Sequence, residues 1–197
     1  MTSLIIILGI LATLILGFRK VFTSHKSITD KIDFAQEYRS HFIELTNKYF
    51  ENYDSWTRSG TLDREKYTWL TKNVSRMQSS LGGFGIMDYI TPFQTMKFSN
   101  YQIIINTIPK FRDDSVKEFD VNAVDDCLLR YVGNLERLSE KTQKNLKNPF
   151  IWFREGFREI LSIPIFILNW FGIISKRTLD PQLLCSCTSA ITKLKSD

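Results

Sequence analysis

The chain has 197 residues, 43% of them hydrophobic and 24% charged, with a net charge of +5; only 9 Gly and 5 Pro interrupt it, which excludes a low-complexity or disordered chain and suits one folded body. Three cysteines exclude a disulfide framework, and Cys185 and Cys187 stand too close together for an unstrained bridge, so a reduced compartment is expected. The basic residues form no dense stripe and accompany no nucleic-acid motif, so nucleic acid is not expected as a partner and the positive excess is read as attraction to anionic lipid.

From Ser3 to Phe18 the sequence is uncharged and apolar, and Arg19 and Lys20 follow at once. About 16 residues make roughly 24 Å of helix, slightly short of a hydrocarbon core of about 30 Å unless the flanks complete the span. Without a positive leading region or a small-x-small cleavage site, the segment is expected to stay as an anchor. Positive charge lies only on its carboxyl side, which predicts an exterior N-terminus and a cytoplasmic body. The expected lipid contacts are Leu4, Ile7, Leu11, Leu14 and Phe18, with Arg19 and Lys20 as basic flanks. Gly9, Ala12 and Thr13 would let a second anchor helix approach, so self-association through them is a further expectation.

Ser27-Ile-Thr-Asp30 resembles a capping box, and Ile28, Ile32, Ala35, Phe42, Leu45, Tyr49 and Trp56 recur at helical spacing, predicting a helix that starts there and runs to about residue 57. Ser59-Gly60 breaks it. Thr61 is the expected cap of a second helix carrying Leu62, Trp69, Leu70, Met77 and Leu81. Gly82-Gly-Phe-Gly85 stops that helix, and 86–98 has no clear period, so a structured loop is predicted. Tyr101–Ile108 reads as a short buried helix ended by Pro109, because no partner strand is evident for its three isoleucines. Ser115-Val-Lys-Glu118 is a capping box opening a third long helix with Val116, Phe119, Ala123, Cys127, Leu128, Val132, Leu135 and Leu138.

Asn148-Pro149 begins a segment whose residues sort onto two faces: Phe150, Phe153, Phe157, Ile160 and Leu161 against Arg154, Glu155, Arg158, Glu159 and Ser162. The apolar run beyond it, to Ile174, makes about 22 Å of helix with Pro164 expected to kink it. Positive flanks at both ends, Arg154 and Arg158 before and Lys176 and Arg177 after, favour an interfacial or re-entrant helix pair with both ends cytoplasmic. Its expected lipid contacts are Trp152, Phe153, Phe157, Phe166, Trp170 and Phe171.

The expected fold is therefore mainly α: an N-terminal transmembrane helix over 1–20, an antiparallel helical bundle over 21–148, an amphipathic membrane-directed pair over 149–175 and a basic tail over 176–197. His25 and His41 have no partner at ligand spacing, and the aspartates at 113, 114, 120, 125 and 126 read as solvated carboxylates near a helix start. Neither a metal nor a cofactor is expected. No nucleophile elbow, zinc-binding pair or phosphate loop is present. The expected function is that of a non-enzymatic, membrane-anchored interaction or scaffold protein whose cytoplasmic bundle binds a protein partner. The alternative is a membrane-perturbing effector or small pore-forming protein using 150–174.

Overall fold

A computed structural model describes residues 2–51, 53, 54, 56, 59–90 and 97–170, with the side chains of the last helix described as far as Ser162. The described chain is mainly helical with one small sheet: α1 (Thr2–Glu51), α2 (Arg64–Leu81), a one-turn 3-10 helix (Gly82–Gly85), β1 (Ile86–Ile90), β2 (Lys97–Gln102), α3 (Ile103–Arg112), α4 (Glu118–Leu146) and α5 (Pro149–Trp170). It divides into two compact units, one comprising residues 1–22 and 145–197 and the other 23–144.

In the larger unit, α1 through α4 contribute to one buried cluster. α1 supplies Ala35, Tyr38, Phe42, Leu45 and Tyr49; α2 supplies Leu70, Met77 and Leu81. From α3 come Ile103, Ile104, Ile108 and Phe111, and from α4 Val124, Leu128 and Leu135. Phe111 stands edge-on to Phe42 at 6.0 Å and to Tyr49 at 5.3 Å, a geometry that aromatic quadrupoles favour. The buried amide of Gln78 ties three elements together: its nitrogen donates to the Gly85 carbonyl at 2.8 Å, and its oxygen accepts from Ile104 N at 3.2 Å. That second bond satisfies an N–H at the start of α3, which has no side-chain cap of its own.

Several boundaries differ from those the sequence predicts. α1 is one helix from Thr2 to Glu51, so Ser27 lies in its interior and caps nothing. The helix ends six residues earlier than expected, and Trp56 is 93% exposed in a turn where its N–H bonds the Asp54 carboxylate. α2 is capped by Asp63 rather than Thr61; its carboxylate accepts from Glu65 N and Lys66 N and pairs with Lys48 at 3.0 Å. Those contacts hold Asp63 below the ordinary carboxylate range, Lys48 contributing most.

Where a loop was predicted over 86–98, the described residues form an antiparallel pair of β1 with β2, and 91–96 lie outside the described residues. Ile86 faces Gln102, Met87 faces Tyr101 and Tyr89 faces Phe98, with a bulge where Asp88 opposes Ser99 and Asn100. Asn100 adopts φ 59°, a left-handed conformation that Asn tolerates better than most residues. β2 exposes five of its six residues, so no alternation marks it in the sequence. The buried helix expected after it is present as α3, although Tyr101 belongs to β2 and Pro109 lies inside the helix instead of ending it. α5 runs as one helical element from Pro149 to Trp170, Pro164 included, and the remainder of the expected pair, 171–175, lies outside the described residues.

Candidate functional site

The first candidate surface lies in the smaller unit. α1 is the helix long and apolar enough, among the described residues, to cross a membrane. Leu4 (65%), Ile7 (64%), Leu11 and Phe18 are exposed, as are Ile6, Leu8, Ile10, Ile15 and Leu16, while Leu14 is half-buried. The buried exceptions in this segment are Thr13 and Gly17, one turn apart, and Val21 continues their line.

Helix α5 lies against that line. A Cβ on Gly17 would strike the Trp152 carbonyl, and one on Gly156 would strike the Thr13 carbonyl. Each glycine thus lets the other helix's backbone come closer than any side chain permits. Phe18 meets Trp152 edge-on at 5.0 Å, and Lys20 pairs with Glu159 and, at 3.9 Å, with Glu155. The two faces expected of this helix are three. Trp152, Glu155, Gly156 and Glu159 turn towards α1, the exposed apolar stripe is Phe150, Phe153, Phe157 and Leu161, and Arg154 and Arg158 stand exposed beside it. Phe166 and Trp170 belong to α5, but their side chains lie outside the described set; Phe171, Lys176, Arg177, Cys185 and Cys187 lie outside the described residues.

A second candidate surface belongs to the larger unit: a groove of about 430 Å³ between α4 and the segment 83–87. Phe84, Ile86, Met87 and Phe119 give it an apolar lining, and Asn122, Asp126 and Arg130, spaced four residues apart along α4, form a polar edge. Phe84, Ile86 and Phe119 are all exposed, which is unusual for three large apolar groups gathered at one place. Cys127 also lines the groove, and its thiol donates to the Phe84 carbonyl at 2.8 Å. Burial pushes the Cys127 thiol up to about 11, with Arg130 opposing the shift. The thiol therefore stays protonated at neutral pH. In a variant retaining only this cysteine, native labelling at pH 8 is expected to be about 100-fold slower than for a free thiol, by thiolate fraction alone. Labelling rates before and after addition of denaturant check this.

The aspartates expected to be solvated are, in three cases, structural. Asp120 is 1% exposed, pairs with Lys110 at 2.6 Å and accepts from Lys117 N at the start of α4. Asp125 holds Arg39 through two bonds of 2.6 and 3.1 Å. Asp114 accepts from the Tyr49 hydroxyl at 2.8 Å. Burial and this bond push Tyr49 up to about 12. His25 lies 3.0 Å from the Thr142 hydroxyl, and His41 lies tilted against Trp69, 4.2 Å between ring centroids, with Lys66 beside it. Among the described residues, no three His, Cys, Asp or Glu gather as metal ligands would.

These observations define a class: a mainly helical protein with one long, apolar N-terminal helix and a small antiparallel hairpin. Comparison with protein-family models, curated proteins and solved structures finds no match.

Proposed function

We propose that this is a membrane-anchored helical interaction protein, held by the apolar start of α1, whose body forms a helical bundle on the cytoplasmic face and binds a protein partner there without catalysing a reaction. The observation that carries the reading is the exposure of nine large apolar side chains between Leu4 and Phe18. Moving that many half-exposed groups into an apolar phase is worth on the order of 10 kcal/mol, which no surface-exposed helix in water recovers. Arg19, Lys20 and Lys26 follow the segment closely, and positive charge on that side favours a cytoplasmic body. The groove beside Phe84 and Phe119 supports the partner-binding part of the reading, because its apolar lining and polar edge resemble the centre and rim of a protein interface.

Single-cysteine labelling of intact membranes tests the topology. A reporter at Thr2 should react from outside while one at Ser59 is protected, and exterior labelling at Ser59 would refute a cytoplasmic body. A photo-reactive residue at Phe119 should give one discrete adduct in membranes, weakened by Arg130→Glu; no adduct there would count against partner binding through the groove.

A further inference from the structure

The docking of α5 on α1 fixes where α5 sits once α1 enters a bilayer, a consequence that rests on the proposed role of α1 as an anchor. The crossing lies at Thr13 and Gly17, and Gly17 is two residues before the basic flank of Arg19 and Lys20. That flank marks the level at which an inserted helix leaves the acyl chains and meets the headgroups. A helix fastened at Gly17 is therefore held at the same level.

From this placement we infer that α5 is a binding surface for anionic lipid, belonging to the leaflet that α1 enters from the body side. Three observations converge on that occupant. The exposed stripe of Phe150 (85%), Phe153, Phe157 and Leu161 belongs to the same compact unit as the exposed apolar start of α1, and an apolar phase covers such a stripe. The acidic residues of α5 are already engaged: Glu155 and Glu159 face Lys20, and Glu155 also holds Arg154 at 3.0 Å. Arg19 and Arg158 have no acidic partner among the described residues, and counting Arg19, Lys20, Arg154 and Arg158 against Glu155 and Glu159 leaves a local excess of two positive charges. A zwitterionic headgroup offers a phosphate but no net charge to offset this excess; a headgroup of net negative charge supplies both the acceptor and the offset.

The glycine pair makes this an anchored surface rather than a free amphipathic helix. The Gly156 site admits no side chain, because an added Cβ meets the Thr13 carbonyl, which is backbone and cannot swing aside. Gly9, one turn further along α1 from Thr13, has nothing within 4 Å of an added Cβ and serves as the control.

The test uses the full chain, with its native cysteines replaced by Ser, reconstituted into vesicles of phosphatidylcholine alone or of phosphatidylcholine with phosphatidylserine. Nitroxides are placed singly at positions 11, 157 and 158, and relaxation by oxygen is compared with relaxation by a water-soluble nickel chelate. In the mixed vesicles, 157 should respond to oxygen and be shielded from nickel, while 158 should show the reverse. Arg19→Ala with Arg158→Ala should make 157 several-fold more accessible to nickel in mixed vesicles and change little in neutral ones. Gly156→Leu should also expose 157 several-fold, and Gly9→Leu should not.

A nickel-accessible 157 alongside a shielded 11 overturns the lipid-binding role of α5 and leaves the anchor standing. A nickel-accessible 11 overturns the anchor itself. Equal depth at 157 in the two vesicle types refutes the preference for anionic lipid, and an unmoved 157 in Gly156→Leu refutes the glycine lock.

Discussion

Replacing both Ile10 and Leu11 by arginine is expected to move the protein from the membrane pellet to the soluble fraction. Both side chains are exposed near the middle of the apolar start of α1, and Leu11 lies on the side away from the Thr13 and Gly17 line. Each arginine at the centre of a span costs about 3 kcal/mol, and the pair together about 6 kcal/mol, or roughly four orders of magnitude in the insertion equilibrium. Alkaline carbonate extraction reads this directly. Substituting Thr23 and Ser24, beyond the basic flank, supplies the control and should leave the pellet unchanged. Continued carbonate resistance of the double-arginine variant would mean that the exposed apolar surface is not what holds the protein to membranes.

The elements that depend on local periodicity were legible in the residues. Ala35, Phe42, Leu45 and Tyr49 recur at helical spacing and are buried, as are Leu70, Met77 and Leu81. What the pattern missed are features set by partners distant in sequence. The hairpin shows no alternation because β2 has no buried face, and its register is broken where Asp88 opposes two residues. Ser27 has the chemistry of a cap, but a cap acts only where backbone N–H groups are free, and α1 continues past it without a Gly or Pro to interrupt it after Gly17.

The third face of α5 was hidden for a related reason. Glu155 and Glu159 look like members of a solvated polar face until Lys20, more than 130 residues away, is placed beside them. A signal was available. Glycine in the interior of an amphipathic helix costs about 1 kcal/mol relative to alanine, so Gly156 marked a close backbone approach from the start. The small-residue line on α1 was also visible: Thr13 is one of its members, and the structure places it and Gly17 against α5.

Asp120→Ala is expected to destabilise the larger unit by about 3 kcal/mol, since removing one member of a buried ion pair strands the other. The value sits at the lower end of that class because the Lys110 side chain keeps 22% of its surface in water. Two losses combine: Lys110 Nζ loses its partner at 2.6 Å, and Lys117 N loses the acceptor that satisfies it at the start of α4. Denaturant unfolding of the full chain in detergent, followed by aromatic fluorescence, measures the change; a loss under about 0.5 kcal/mol, the level of an ordinary surface substitution, would refute the structural role. Lys110→Met with Asp120→Leu should recover much of the stability, because apolar groups of similar size replace a buried pair at little net cost, while the N–H of Lys117 stays unsatisfied. The pH dependence has a definite sign. Burial opposes the charge of Lys110, but its bonds to Asp120 and Tyr101 outweigh this and raise its pKa above the ordinary 10.5. A raised folded value means that the lysine's contribution is complete below the unfolded pKa and is lost as pH rises through the folded one. The difference between wild type and Asp120→Ala should therefore hold constant through neutral pH and shrink only in strong alkali.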